Sequence, residues 1–187
     1  PSTEDPLAVN HNTGQIMRLT ANTTPDNGFP QLLSETGLFA DLTDLSPAPG
    51  VVAFNPNLKF WSDHADKTRW FVINNTSDTM SYSRDSNWTF PTGTIWVKHF
   101  DLRLERETGV DGVMRPKAGA ASKRLETRLL VKTAAGTYGV SYRWNAAGTD
   151  ATLVSDTGDQ FDINLTEDSV AKTQTWSIPS TAQCAQC

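Results

Sequence analysis

The fold of this chain is most constrained by a series of short runs rich in Val, Ile, Thr and aromatic residues, each bounded by turn-forming residues. No convincing helix of ten or more residues interrupts the series. Many short strands joined by Gly-rich turns are typical of sandwiches and barrels. We therefore predict an all-β fold, an antiparallel and jelly-roll-like β-sandwich with a short N-terminal helix and long loops. The predicted strands are Val51–Phe54, Arg69–Asn74, Gly93–Leu104, Glu126–Thr133, Tyr138–Trp144, Ala151–Val154, Gln160–Leu165 and Thr173–Ile178.

The run from Thr94 to Leu104 shows the alternation of a strand most clearly. Successive side chains of a strand point to opposite faces of the sheet, so the residue types on each face can be read directly. The two predicted faces carry Trp96, Phe100, Leu102 and Leu104 on one side and Val97, His99, Asp101 and Arg103 on the other.

The chain divides into three predicted parts. Residues 1–29 form a lead-in segment or linker, in which Gln15–Leu19 predicts a short strand and the polar run after it predicts a loop. Residues 30–180 form the sandwich domain, with a short helix between Gln31 and Ala40 that ends or breaks at Gly37. Residues 181–187 form the start of a truncated haem c motif. The Gly-rich stretch from Gly109 to Ser122 predicts a long mobile loop.

Composition limits the class of protein. The length of 187 residues suits one domain with at most a short appendage. The net charge of −5, with Lys and Arg scattered, argues against nucleic acid as a partner. No apolar stretch approaches the roughly 20 residues of a membrane span. The first residue is Pro1 and no signal peptide precedes it, which suits a processed, exported fragment.

The only cysteines of the chain are Cys184 and Cys187, three positions apart. A Cys-x-x-Cys pair followed by His is the attachment signature of covalent haem, in which the His supplies an axial ligand to the iron. The residue after Cys187 is not in the sequence. Alternatives from the residues alone are an inert terminal pair or a strained local disulfide. Zinc is disfavoured because no second Cys pair exists to complete four ligands.

Several segments in order resemble a largely uncharacterised family of exported bacterial proteins, some of whose members are described as c-type cytochromes. The most specific segment is the Trp-Ser-Asp-x-Ala-x-Lys-x-Arg-Trp string at Trp61–Trp70. The other matching segments are 33–39, 88–94, 97–100, 126–130, 142–145, 149–151 and 176–180. The resemblance covers roughly residues 30–187.

The resemblance implies a context and defines no reaction for the domain itself. In that family a Cys-x-x-Cys-His haem site often follows the domain, and in some members a sugar-dehydrogenase-like β-propeller precedes it. It therefore implies haem c bound through Cys184 and Cys187 in the parent protein, absent or incomplete in this fragment. It implies an adjacent cytochrome domain, a propeller as a further partner, and a periplasmic or extracellular location. The expected function is that of a non-catalytic accessory domain that positions the cytochrome for electron transfer.

Charged residues within the aromatic-rich strands form a second candidate site. Buried charges must be paired and hydrogen-bonded. One interpretation is an internal ion-pair network that joins two sheets, with Asp63 and Glu126 as partners of Arg69 and Arg128. The other is a polar cleft for an anionic or sugar ligand. The cluster consists of Asp63, Lys67, Arg69, Lys98, Glu126 and Arg128.

Two further functions stay open from the residues. A carbohydrate-binding module would use exposed tryptophans to stack on polysaccharide, and Trp61 and Trp88 are the candidates because they lie next to turns. A hydrolase or other enzyme would use a carboxylate and histidine cleft around Asp63, Glu126 and His99. A metal is expected to be absent, with His64 and His99 as weak candidates for ligands, since no paired-His spacing occurs.

Overall fold

The structure is a computed structural model that describes residues 7–9, 16–18, 28–75 and 77–184, the first two ranges as backbone only. Cys187 and most of the predicted lead-in segment, 1–29, lie outside the described residues. One helix, α1 (Thr181–Cys184), and one 3₁₀ turn, Leu33–Thr36, accompany fourteen strands in this part of the chain. The strands are β1 (Leu7–Val9), β2 (Ile16–Arg18), β3 (Phe39–Asp41), β4 (Ser46–Pro47), β5 (Val52–Ala53), β6 (Asp66–Val72), β7 (Ile95–Arg103), β8 (Glu105–Thr108), β9 (Met114–Pro116), β10 (Ser122–Lys132), β11 (Thr137–Trp144), β12 (Ala151–Leu153), β13 (Asp159–Glu167) and β14 (Val170–Ile178).

A six-stranded antiparallel sheet is the centre of the fold. Its strand order is β12-β11-β10-β7-β6-β5, and a four-stranded sheet of order β14-β13-β8-β9 accompanies it. Two small antiparallel pairs, β1 with β2 and β3 with β4, complete the sheets of the described residues. The predicted all-β sandwich is confirmed, with one addition: β13 and β8 pair in parallel.

One face of the six-stranded sheet, which we call the covered face, packs against the segment 28–50. Leu33, at the start of the 3₁₀ turn, and Leu38, just after it, pack in a cluster with Trp70, Val97 and Leu129 of the sheet. The turn ends at a left-handed Gly37, where a residue without Cβ adopts positive φ at least cost. This segment therefore serves as the second layer over the covered face.

The opposite face, which we call the open face, is covered at one end only. There the four-stranded sheet contributes Ile163 and Trp176 to a second buried cluster, which they form with Phe100 and Leu102 of β7. A bulge between Arg124 and Glu126 of β10 adds Leu125 to this cluster. Over the rest of the open face, the described residues form no second sheet.

The eight strands predicted from Val51 onward all overlap observed strands, and the alternation within β7 is confirmed by its register with β6 and β10. The predicted loop from Gly109 to Ser122 is partly wrong, because β9 lies within it and pairs with β8. This short strand carries few apolar residues, so its pattern is weak. No helix in the described parts of the chain is long and apolar enough to cross a membrane.

Candidate functional site

A groove of about 1200 Å³ lies over the uncovered part of the open face. Strands β6, β7, β10 and β11 supply its floor. The segment 54–62 forms one wall. The other wall is formed by residues 157–160 and 177–179, which lie at or next to the start of β13 and the end of β14 in the four-stranded sheet, called the second sheet below. The groove is larger than the 300–1,000 Å³ of most ligand pockets, so it has room for a ligand of substantial size.

Three cations line up across the floor of the groove. Arg128 of β10 is the direct register partner of Lys98 of β7, and Lys98 is the register partner of Arg69 of β6. Residues that are directly opposite in an antiparallel pair point to the same face. We call this row the cationic ladder. Like charges in such positions destabilise a sheet, so the ladder is a costly arrangement for the fold alone.

An apolar row lies next to the cationic ladder on the same face. Phe71, Trp96, Leu130 and Gly139 are register partners on β6, β7, β10 and β11. Trp96 packs edge to face against Phe90 with a centroid distance of 4.9 Å. The floor of the groove therefore has a charged stripe and an apolar stripe, side by side.

Arg128 pairs with a buried carboxylate of its own strand, Glu126. Glu126 is fully buried and accepts hydrogen bonds from Arg128 Nε at 2.8 Å and Nη2 at 2.5 Å. It also accepts from the indole Nε1 of Trp176 at 3.0 Å, which joins the two sheets. The guanidinium lies over the ring of Phe100 at 4.7 Å. Glu126 and Arg128 thus form the expected ion pair, but within one strand, β10. The hydrogen bond from Trp176 of β14 is what links this pair to the four-stranded sheet.

Lys67 fixes a wall of the groove to its floor. Its Nζ donates to the carbonyl of Phe60 and to Ser62 Oγ, the latter at 2.8 Å. Burial lowers the pKa of Lys67, and the nearby charges of the cationic ladder lower it further. Both partners are neutral oxygens, so neither hydrogen bond neutralises the charge of Lys67.

Arg69 is the unusual member of the cationic ladder. It is only 8% exposed, and its side chain lines the groove. Within the described residues its guanidinium makes no hydrogen bond and no ion pair. Buried charges are normally paired because the removal of an ion from water costs several kcal/mol. Arg69 is therefore a buried cation that faces the groove without a partner from the described chain.

Cys184 lies at the end of α1 and lines the groove. A Cβ placed on Gly139 of β11 would lie 2.9 Å from the Cβ of Cys184, closer than two such carbons can approach. Gly139 therefore allows the helix to pack on the sheet at this point. Cys184 therefore lies in the same groove as four cations of the predicted charge cluster, which are Lys67, Arg69, Lys98 and Arg128.

Asp63 does not join the charge cluster. It is exposed, on a tight turn in which both Asp63 and His64 have positive φ, with Ala65 N donating to Ser62 O at 2.7 Å. This geometry is that of the type I′ turn, and it leaves Asp63 in the turn that precedes β6 rather than in the strand. The expected pairing of Asp63 with Arg69 is therefore corrected: no such ion pair forms.

His99 and Glu126 lie on opposite faces of the six-stranded sheet, so they share no cleft. His99 is fully buried on the covered face, with Nδ1 at 2.8 Å from Thr127 Oγ1, to which Trp144 Nε1 also donates at 3.0 Å. Its Nε2 lies 3.2 Å from Asp101 Oδ2 without completing a hydrogen bond. His99 is a packing residue in this arrangement, and the enzyme alternative loses its shared cleft.

His64 and His99 also lie apart as candidates for metal ligands. His64 packs against Trp61 with ring centroids 4.2 Å apart, and burial lowers its pKa. No cluster of three or more His, Cys, Asp or Glu side chains suited to a metal occurs among the described residues.

The two tryptophans singled out for sugar stacking differ in exposure. Trp61 is 69% exposed and lies beside Phe60, which is 67% exposed and lines the groove. Trp88 is 47% exposed, packs edge to face on Tyr82, and donates its indole N–H to Ser83 O at 2.9 Å. Trp61 is therefore the better stacking platform of the two.

Comparison of the chain with protein-family models, with curated proteins and with solved structures gives no match. The site therefore has to be interpreted from its own geometry. The sequence pattern predicted a charge cluster that includes Lys67, Arg69, Lys98 and Arg128, with a polar cleft as one interpretation, but gave no sign of the contribution of Gly139. Charged residues inside aromatic strands were the available signal for the first group. Nothing in the sequence indicated that Gly139 would lie under Cys184.

Proposed function

We propose that this chain is a non-catalytic positioning domain of an exported bacterial redox protein, in which it holds a c-type haem segment that starts at Cys184. The proposal is supported mainly by the position of Cys184, which packs on β11 and lines the groove. A group tethered to Cys184 would therefore start at the open face. The domain then orients the cytochrome and a dehydrogenase or other electron partner. The periplasm or the cell exterior is the proposed location, because c-type haem is attached outside the cytoplasm.

The chemistry of the groove fits the haem group in part. Trp96, Leu130 and Ile178 offer apolar surface to a porphyrin, and the cationic ladder offers charge to its propionates. No His or Met is among the groove-lining residues of the described chain, so the axial ligands of the iron would come from elsewhere. Haem, when bound, would supply the one-electron chemistry, and the chain would supply orientation and dielectric.

The first test is a chain that continues past Cys187 in its natural reading frame, produced in a bacterial periplasm with the haem attachment machinery. We expect c-type bands in a reduced-minus-oxidised visible spectrum and haem that stays with the protein on a denaturing gel. Variants Cys184→Ala and Cys187→Ala should lose covalent attachment, because each removes one thioether. A continued chain without covalent haem would refute the proposal.

The second test addresses positioning rather than attachment. Gly139→Ala introduces a Cβ where Cys184 now packs, so we expect α1 to move off β11 while the sheet stays folded. In a Cys187→Ala background, labelling of Cys184 by a thiol reagent should be faster with Gly139→Ala than without it. Thr137→Ala, an exposed change on the same strand, is the matched control and should leave the rate unchanged. Equal rates in all three would contradict the packing of α1 on the sheet.

Carbohydrate binding is the second candidate, and the exposure of Trp61 favours it. Its ring stands nearly perpendicular to His64, at 76°, and most of its surface meets solvent. Oligosaccharides should then quench Trp fluorescence, and Trp61→Ala should abolish the quenching while Trp88→Ala reduces it less. Quenching that survives Trp61→Ala would exclude this platform.

A further inference from the structure

We propose that the groove on the open face is a binding site for an organic acid, a ligand that carries a carboxylate on an apolar body. The site is formed by the cationic ladder and by the apolar row beside it. It does not depend on the haem proposal, since every residue that forms it lies in the described chain.

The cationic ladder has an energetic cost for the fold. Arg69, Lys98 and Arg128 occupy directly opposite positions on three neighbouring strands, which lie about 5 Å apart in any sheet. Within the ladder, the buried Glu126 neutralises Arg128 and leaves Arg69 without a carboxylate. A fold that needed only stability would gain from an apolar side chain at position 69. A ligand carboxylate would supply the charge that the arrangement lacks.

The placement of Arg69 suits a carboxylate ligand. A guanidinium offers a planar fork of donors that matches a carboxylate with two parallel hydrogen bonds. Arg69 is more than nine-tenths buried and lines the groove, so its charge is largely shielded from bulk water and lies next to the space that a ligand would occupy. A desolvated, fixed cation binds an anion more strongly than an exposed one does, because the local dielectric is low.

The apolar row determines what kind of body the carboxylate of the ligand is attached to. Trp96 lies two residues before Lys98 on β7, and Leu130 lies two residues after Arg128 on β10. All four side chains therefore share one face of the sheet. Ile178 of the second sheet and Phe54 of the opposite wall also line the groove. A small hydrated anion would leave this surface in water, whereas an acid with an apolar body would cover it.

The charge distribution supports the same ligand class. The whole chain carries a net charge of −5. The groove nevertheless has four cationic lining residues and one carboxylate, Asp159, which is paired with Arg143 at 2.7 Å. Positive charge concentrated in a cleft of an acidic protein attracts an anionic ligand locally without a general affinity for polyanions.

The shared chemistry has two sources. One is a free organic acid. The other is the propionate edge of a porphyrin tethered at Cys184, which rests on the function proposed above. Both place a carboxylate on the cationic ladder and an apolar surface on Trp96 and Leu130. The probes below separate the two sources.

The test uses the 187-residue chain without haem and measures affinity by calorimetry at low and high salt. The probes are octanoate with 1-octanol as its uncharged analogue, and mesoporphyrin IX with its dimethyl ester. We expect at least one carboxylate to bind and its uncharged analogue to bind at least about tenfold more weakly, since hydrogen bonds to charged groups are lost. Preference for octanoate would identify a free acid, and preference for the porphyrin would identify a tethered one.

Three variants assign the binding to the groove. Arg69→Gln should weaken the carboxylate about tenfold or more, and Lys98→Gln, an exposed change, by a smaller factor. Arg115→Gln removes one positive charge from the second sheet, where Arg115 pairs with Asp111, and should leave affinity within about twofold. Saturating ligand should raise the melting temperature of the parent chain by several degrees and that of Arg69→Gln by much less.

The proposal is overturned if neither carboxylate binds, if Arg69→Gln and Lys98→Gln both bind as the parent does, or if citrate binds as tightly as either probe. Citrate has carboxylates without an apolar body, so equal affinity would remove the role of the apolar row. Failure here is distinct from failure of the haem proposal, because covalent haem bands in a continued chain do not depend on carboxylate binding by the shorter one.

Discussion

The two faces of the six-stranded sheet handle their polar groups in different ways. On the covered face, His99, Thr127 and Trp144 form a buried hydrogen-bonded set beneath the segment 28–50. On the open face, Arg69 is also buried, with 8% of its surface exposed, but its guanidinium has no partner in the described chain. The same sheet therefore supports folding through one face and keeps an uncompensated charge on the other. Uncompensated buried charge is a signal of function rather than of stability.

The largest expected effect lies on the covered face. Trp144→Ala removes a side chain that is 95% buried and contacts His99, Arg124 and Thr127. We expect a loss of about 3–5 kcal/mol in the free energy of unfolding, measured with denaturant. Trp96→Ala on the half-buried floor of the groove is the comparison and should lose clearly less. Equal losses would mean that the open face is packed as tightly as the covered one.

The next largest effect concerns the buried ion pair of Glu126 and Arg128 within β10. Glu126→Gln removes the carboxylate that Arg128 and Trp176 share. Breaking a buried pair leaves its partner charge uncompensated, so we expect a loss of about 2–4 kcal/mol in denaturant unfolding. The double variant Glu126→Gln with Arg128→Met should recover part of the loss. A double variant no more stable than the single one would contradict the pairing.

Tyr142 tests the covered face at alkaline pH. Burial raises the pKa of Tyr142 to about 12, and its hydroxyl donates to Pro30 O at 2.9 Å. The folded pKa lies above the unfolded value of 10, so this contribution is intact below pH 10 and is lost as pH rises from 10 to 12. Tyr142→Phe should cost about 1 kcal/mol at pH 7 and flatten stability over that pH range. An unchanged pH profile would refute the assignment.

Lys67 should respond with the opposite sign on the open face. Its folded pKa is lowered, mainly by burial, so the unfolded chain holds this proton more tightly than the folded one. Stability from this group therefore rises as pH increases from its folded pKa toward the unfolded 10.5. Unfolding titrations of the parent and of Lys67→Met should differ by this rise. A parent profile without it would mean that Lys67 is solvated as in the unfolded chain.

The smallest expected change is at Arg69 in the absence of ligand. Arg69→Met replaces an uncompensated buried charge by an apolar side chain of similar length, so stability should stay within about 1 kcal/mol of the parent or increase. Denaturant unfolding of the two chains is the measurement. A loss of more than about 2 kcal/mol would show that Arg69 has a structural partner, and would remove the contrast between the two faces.

Local pattern was sufficient for much of the fold and for little of the site. The alternation of Trp96 through Leu102 predicted β7 and the residues on each of its faces. It could not show which elements would cover each face, because that depends on the segment 28–50 and on the four-stranded sheet. The strands β8 and β9 were missed because their stability comes from pairing with each other and with β13, not from an apolar pattern.

Three properties could be predicted from the amino-acid sequence: the all-β class, the positions of the turns, and the identity of the charged residues within apolar strands. These properties follow from local preferences of a few neighbouring residues. Three other properties became visible only in the folded structure. Arg69, Lys98 and Arg128 align across three strands, Glu126 pairs with Arg128, and Gly139 lies beneath Cys184. Cross-strand register is set by contacts between residues far apart in the chain, and a one-residue shift would move each of these side chains to the other face.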